Sequence, residues 1–592
     1  MIPPSHPYRV SCMRSFVLAL VITLPLGVVP AQASRGSADL ARALEDAWAH
    51  RLASSPSLRL EHGQRADRLP ELSHRAWLDE AAFWRGIHAR VSHIPETGLA
   101  VEERLSLRTL RWESRMLAGK APFYWVDFSS ITPYATPLQE VQRALGSFPI
   151  RSADDAEAYL ALLRQVAPFA DSLRAGLEAR AARGNYLAAD ELPQSEALVR
   201  SFIADPAAGP FAVAEGRLAA LDAGARAAFA SQVQREVADR ITPAFERLAT
   251  YLAGDYTTHA PHRVGLGQYP DGLAYHRWLV RWHTTMDITP EAVHRIGLRE
   301  VARINEAMAA IRREVGFTGT KAEFHAALRK DPRFFAKTPD EFGDRLMASA
   351  RRIEPRLGDY FGRFPRARGD VRRLAPQLEP AMTFGYYQVP TVADSMGHYL
   401  YNGSSLGERS LLFGGALIAH ELWPGHHFQI NLASENTALP AVRREAYYTA
   451  FGEGWGDYAA SVAGEMGMYQ DPWDRYGRLS MSMFIACRLV VDTGMNALGW
   501  SRERAMQFMR DNALESETQV RSETLRYSVD MPGQALAYLM GSLEFQAQRQ
   551  RAGRALGSRF DIRAFHDMLL GSGMLPMTVL ADRVGWWIAD QR

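Results

Sequence analysis

The stretch Ala419-His420-Glu421-Leu422-Trp423-Pro424-Gly425-His426-His427-Phe428-Gln429 ends a mostly apolar, helix-like run from Leu411 to Trp423. It carries three imidazoles, the first beside a carboxylate. Imidazole nitrogen is the commonest protein ligand for zinc, and a neighbouring carboxylate is where an activated water needs its general base. The regular form, H-E-x-x-H, sets two histidines one turn apart on one helix face. Here Pro424 occupies that fifth position, so the regular form is broken. A mid-helix proline costs about 3 kcal/mol or more. In a straight helix the sixth residue on lies about 120° off the face, and the seventh lies about 10.5 Å along the axis. The sequence therefore predicts a widened, bulged turn at Pro424-Gly425 that returns His426 or His427 to His420.

A third ligand is expected from Glu453, in Phe451-Gly452-Glu453-Gly454-Trp455-Gly456-Asp457-Tyr458. Catalytic zinc usually takes three protein ligands and keeps one open position. Gly452, Gly454 and Gly456 each weaken a helix by about 1 kcal/mol relative to alanine. Their presence points to a close approach of backbone to another element or a ligand. The competing reading is a tight helix crossing with an exposed Glu453.

These residues carry a resemblance. The chain resembles the bacterial domain-of-unknown-function 885 family, zincin-like metallohydrolases. The matching pieces are His420-Glu421-x-x-Pro424-Gly425-His426-His427-x-Gln429, Glu453-Gly454-Trp455 with Tyr458, and Arg488 to Gly494. Arg526-Tyr527, Pro532-Gly533-Gln534-Ala535-Leu536-x-Tyr538 and Phe560 to His566 also match. More distantly, the chain is similar to helical gluzincin oligopeptidases and carboxypeptidases. The resemblance implies peptide-bond hydrolysis with Zn2+ as cofactor and a peptide as partner. It favours His426 over His427 as the second ligand, because Gly425-His426 matches the G-H that ends the motif in the helical peptidases. His427 would then be an outer or substrate-facing donor. Two positions depart from the family pattern: Ala460 stands where an acid is common, and Asn496 where a histidine is common.

Composition sets outer limits. The 592 residues are 47% hydrophobic and 23% charged, with a formal net charge of +2. This is an ordinary globular composition, without the basic footprint of a general nucleic-acid binder. A local run of arginines (Arg351, Arg352, Arg356, Arg363, Arg366, Arg368, Arg372 and Arg373) reads as a solvated or ion-paired face. The first 33 residues read as a cleaved signal peptide. Arg14 precedes an apolar run from Phe16 to Pro30, and Ala31-Gln32-Ala33 forms the cleavage signal. Cys12 precedes that run and is misplaced for lipid attachment. The expected location is periplasmic or secreted, with no stable membrane insertion after cleavage. Cys487 then remains alone, in a mostly apolar run, as a buried small hydrophobe.

Helical periodicity dominates the rest. Amphipathic helices are expected at 38–52, 153–166, 168–183, 225–252, 290–315 and 502–514, with Pro243 kinking or splitting the fourth. Thr289 and Ser501 read as caps. The main extended region is 383–402. The expected fold class is mainly α; the resemblance implies a large, two-lobed, zincin-like helical metallopeptidase with a small extended region near the active site. Residues 34–260 would form an N-terminal helical region and 261–592 the catalytic region.

In the expected mechanism Glu421 is the general base. The resemblance to the helical peptidases makes Tyr538 the first candidate for a donor to the oxyanion, with Tyr527 and Arg526 behind it; the competing reading of Tyr538 is a helix-packing aromatic. Arg488 and Asp492, four apart in an apolar helix, are expected to pair. Two other functions share this sequence pattern: a zinc hydrolase of a non-peptide amide, and a catalytically silent, metal-stabilised binding protein.

Overall fold

The computed structural model describes residues 35–592, except 135, 204–208, 377–378, 380–383 and 392–393. The expected leader lies outside the described residues. The fold is mainly α-helical, with a single three-stranded sheet among the described residues.

Eight helices concern the site: α1 (Gly272–Thr284), α2 (Pro290–Glu314), α3 (Gly414–Glu421), α4 (His426–Ser434), α5 (Thr449–Glu465), α6 (Pro472–Ala497), α7 (Glu517–Leu525) and α8 (Ala537–Leu556). The broadest helix pairings are α2 on α6 and α5 on α8. The second is unusually close. A Cβ at Gly454 would stand 2.5 Å from the Gly541 Cα, and one at Gly541 would stand 1.9 Å from the Ala450 carbonyl oxygen. Only glycine at both positions permits this approach.

The caps follow the sequence. The Thr289 hydroxyl accepts from the Ala292 N–H, and the Ser501 hydroxyl from that of Arg504. The expected helix at 225–252 is divided: Ala223–Glu236 passes through a π turn at Val237–Ile241 into Thr242–Ala253, with Pro243 in the first turn of the new segment. The backbone stays helical through this turn, so the π turn just before Pro243 is where the ladder adjusts to its missing N–H.

The extended region supplies β2 (Gly385–Gln388) and β3 (Gly397–Tyr401), and β1 (Gly369–Arg373) joins them. The order is β1-β3-β2, with β3 parallel to β1 and antiparallel to β2; Tyr387 faces Tyr399 in register. β3 is buried throughout. The sequence reading passed over β1 because it lies inside the arginine-rich run. That run is largely ion-paired: Arg352 with Asp474, Arg356 with Asp359, Arg366 with Glu435, Arg372 with Asp394 and Arg373 with Glu379.

One apolar core is built from residues between Ala66 and Ala260. Two others are built mainly from the C-terminal half, although Leu105, Trp112 and Met116 enter one of them. Among the described residues no helix is long and apolar enough to cross a membrane.

Candidate metal centre and its cavity

The expected bulged turn is not what forms at Pro424. Helix α3 stops at Glu421, Leu422 leaves helical geometry (φ −97°, ψ −108°), the Trp423-Pro424 peptide is cis, and α4 starts afresh at His426. Two helices joined by a tight break replace one deformed helix. Proline cannot donate to the α3 ladder, so the chain turns out of it. Gly425 then passes so close that a Cβ there would lie 1.8 Å from the His420 carbonyl oxygen. The break is anchored on both sides, because Trp423 Nε1 donates to the Ala350 carbonyl and Trp455 Nε1 to that of Pro424.

This break brings together His420 at the end of α3, His426 at the start of α4, and Glu453 in α5. One ligating atom from each lies within 4.8 Å of the others. Glu453 Oε2 is 3.5 Å from Nε2 of both His420 and His426. The rings stand nearly perpendicular, with centroids 4.7 Å apart. Tetrahedral ligands about 2.1 Å from a common centre stand about 3.4 Å apart, so these three residues fit a single zinc-sized cation. Both Nδ1 atoms are buried, with no hydrogen-bond partner among the described residues. This departs from the usual arrangement, in which the second nitrogen of a metal-binding histidine is also held.

The three glycines around Glu453 each admit a different neighbour. Gly456 makes room for the His420 ring, whose atoms would lie 2.6–2.8 Å from an added Cβ. Gly454 seats α8, and Gly452 lies under the Tyr447 ring. A tight helix crossing and the seat of the His420 ring thus coexist on one helix, and Glu453 is not exposed as the crossing reading supposed. The Tyr447 hydroxyl donates to Glu453 Oε1 at 3.0 Å. Sequence reasoning missed Tyr447, which precedes α5 and carries no motif signal.

The electrostatics are those of a buried, mutually compensating set. Burial works against the Glu453 carboxylate, but hydrogen bonds with His420 and His426 and their charge prevail and hold it well below the usual carboxylate range. Burial pushes Glu421 upward, against the pull of His426 and His420. A backbone N–H from Tyr387 in β2 steadies the Glu421 carboxylate.

His427 lies outside this group. Its Nε2 is 3.1 Å from the Ala367 carbonyl oxygen, which can only accept, so Nε2 carries the proton. Nδ1 therefore accepts from the Tyr387 hydroxyl at 2.9 Å, and that oxygen accepts from Asn431 Nδ2. Burial lowers the ring to about 4, which fits a neutral imidazole. His427 fastens α4 to the sheet, and it faces neither the metal group nor the cavity beside it.

That cavity, about 440 Å³, is lined by His420, Glu421, His426, Glu453, Tyr447, Tyr538, strand β2 and parts of α6 and α7. Tyr538 stacks on His420 with ring centroids 6.1 Å apart. Arg526 lines the cavity and donates to Gln534 at 2.7 Å. Tyr527 does not reach it. Its fully buried hydroxyl joins Arg488 to Glu523, so the expected catalytic role gives way to a structural one. The expected Arg488–Asp492 pair is also absent. Arg488 pairs with Glu523 at 3.3 Å, while Asp492 meets His276 at 2.9 Å and accepts from the Gly533 N–H at 2.7 Å. A one-turn spacing aligns two side chains only if nothing better faces them, and here each has its own partner on a neighbouring segment. The Asp492 contact fixes the turn from which α8 and Tyr538 depart.

Ala460 and Asn496 sit away from the group. Ala460 is core, and Asn496 binds the Leu266 N–H and the carbonyl oxygens of Asp492 and Tyr527.

The profile of the family described as "Bacterial protein of unknown function (DUF885)" matches residues 56–584. The chain belongs to the DUF885 family. Its fold is shared by a solved "putative lipoprotein" from Colwellia psychrerythraea, at 25% identity and TM-score 0.84, covering 94% of this chain and 100% of that one. A "putative lipoprotein of unknown function" from Shewanella oneidensis matches at 16% identity and TM-score 0.72, covering 92% and 99%. No curated protein matches the chain.

Proposed function

We propose that this DUF885 protein is an exported, zincin-like zinc metallopeptidase. One observation carries the reading: His420, His426 and Glu453, from three separate helices, converge at ligand spacing on the wall of a cavity that also holds Glu421. His420 Nε2, His426 Nε2 and Glu453 Oε2 would hold the zinc. When bound there, it supplies a Lewis acid that activates water and polarises a carbonyl.

The chain's own residues do the rest. Glu421, raised by burial and facing the cavity, accepts a proton from the attacking water and returns it to the leaving amine. Tyr538 lies on the same wall, stacked on His420, and is the side chain placed to donate to the developing oxyanion. Strand β2 is at the sheet edge and lines the cavity, so an extended peptide can lie along it. The names of the two solved relatives support export.

The test is elemental analysis of the purified protein, followed by peptide-library hydrolysis with and without a chelator. About one zinc per chain and chelator-sensitive cleavage are expected. A protein that neither carries nor takes up a transition metal would overturn the proposal.

A further inference from the structure

On the wall of the same cavity, Arg488 is held in an unusual setting. Its guanidinium lies between two aromatic faces, 4.3 Å from the Phe484 centroid and 4.5 Å from that of Tyr538. Tyr538 in turn stacks on His420 at 6.1 Å. The two contacts laid end to end put the guanidinium no more than about 11 Å from the His420 ring. Arg488 is 7% exposed, and what is open belongs to the cavity wall. Its Nε donates to Tyr527 and its Nη2 to Glu523, while Nη1 has no protein partner among the described residues.

Arg488 and Arg526 share one ion-pair partner. Glu523 is the acidic partner of both Arg488 and Arg526, and it also accepts from Gln519 at 3.0 Å. One carboxylate thus faces two guanidinium groups. Glu515 lines the same wall, but burial beside Glu523 pushes it up to about 8, so it competes weakly for the two guanidinium groups at pH 7; the Glu453 carboxylate acts on Arg488 only through space, with no ion pair between them among the described residues. A cationic, aromatic-clamped fork with a free N–H suits a carboxylate. A zinc on His420 and a carboxylate on Arg488 each take up part of that limit of about 11 Å, and one residue of peptide, about 3.8 Å, fits in what is left.

We infer that Arg488, supported by Arg526, receives the free α-carboxylate of the substrate's last residue, so that the protein acts as a carboxypeptidase releasing single amino acids. This rests on the metallopeptidase reading. In the step itself the amide C–N bond breaks, a C–O bond to the water oxygen forms, and the water's proton leaves on the amine of the released residue.

The experiment compares one peptide as its free acid and as its C-terminal amide. With the zinc-loaded protein, single residues are expected from the acid, and kcat/KM for the amide is expected to be lower by roughly 30-fold or more. Separately, calorimetry on chelator-treated protein is expected to show tighter binding of the acid than of the amide. Arg488→Lys keeps the charge but loses the fork, and should erase the preference while zinc content holds. Equal cleavage of acid and amide, or internal fragments as products, overturns the carboxylate site and leaves the metallopeptidase standing. No cleavage of either peptide overturns the metallopeptidase reading; equal binding of the two peptides then overturns the carboxylate site as well.

Discussion

Tyr447 gives its hydroxyl proton to one oxygen of Glu453, at 3.0 Å, and so leaves the other oxygen equidistant from His420 and His426. The tyrosine ring is half exposed in the cavity. Its hydroxyl therefore orients a carboxylate that could otherwise rotate. Tyr447→Phe should fold normally but bind zinc about 10- to 100-fold more weakly, as measured by chelator competition. Unchanged affinity would show that the bond does not orient the ligand.

Glu421 and Glu453 are expected to separate cleanly. Glu421→Gln should keep the metal and lose turnover by about 100-fold or more, since an amide cannot accept the water's proton. Glu453→Gln should lose metal first. Zinc loss in Glu421→Gln with full retention in Glu453→Gln would reverse the assignment.

The two neighbouring histidines should behave differently. His426→Ala is expected to lose zinc, whereas His427→Ala should retain it. The second variant strands the Ala367 carbonyl and the Tyr387 hydroxyl, so it should be less stable by about 1–3 kcal/mol in urea denaturation. Zinc loss from His427→Ala at unchanged stability would contradict the geometry.

Gly456→Ala tests the cradle by shape alone. An added methyl meets the His420 ring at 2.6–2.8 Å, so the ring must move. Zinc affinity should fall without any change of ligand chemistry, and overpacking should cost about 1–3 kcal/mol. Metal titration showing wild-type affinity would mean that the ring has slack.

Acid should weaken the fold through histidines buried in neutral form. Burial lowers His427 to about 4, and His325 and His566 to about 3. An unfolded chain takes up these protons near pH 6.5, before the folded chain does. Stability is therefore full above about pH 6.5 and declines as pH falls from there toward 4, by about 1.4 kcal/mol per unit for each such group. Urea midpoints measured across this window should fall with pH, and a flat profile would refute the neutral-ring assignment.

Much of this architecture was legible beforehand, for identifiable reasons. The helices with caps at Thr289 and Ser501 follow from side chains that act on their own backbone. The residues at the centre were visible because histidine and glutamate beside glycine and proline are costly in a helix without compensation. What stayed hidden depended on contacts between distant segments. Strand β1 sits in an arginine run whose charges find partners on other elements. Tyr447 has no local signature, because its role comes from lying over Gly452. Arg488 and Asp492 suggested each other by spacing, yet each is claimed by a segment that spacing cannot see. The break at Pro424 was foreseeable, but its outcome was not. Whether one helix bulges or two helices form is decided by Trp455 and Ala350, which capture the loop from outside.

Tyr387 is held at both ends: its backbone N–H reaches Glu421 and its hydroxyl reaches His427 on α4. A single residue thus links the edge strand to Glu421 and to the helix that presents His426. A substrate that tugs on this strand would pull on the base directly, and on the zinc cradle only through the whole of α4. Substitutions along β2 are therefore expected to change any turnover while metal affinity is untouched.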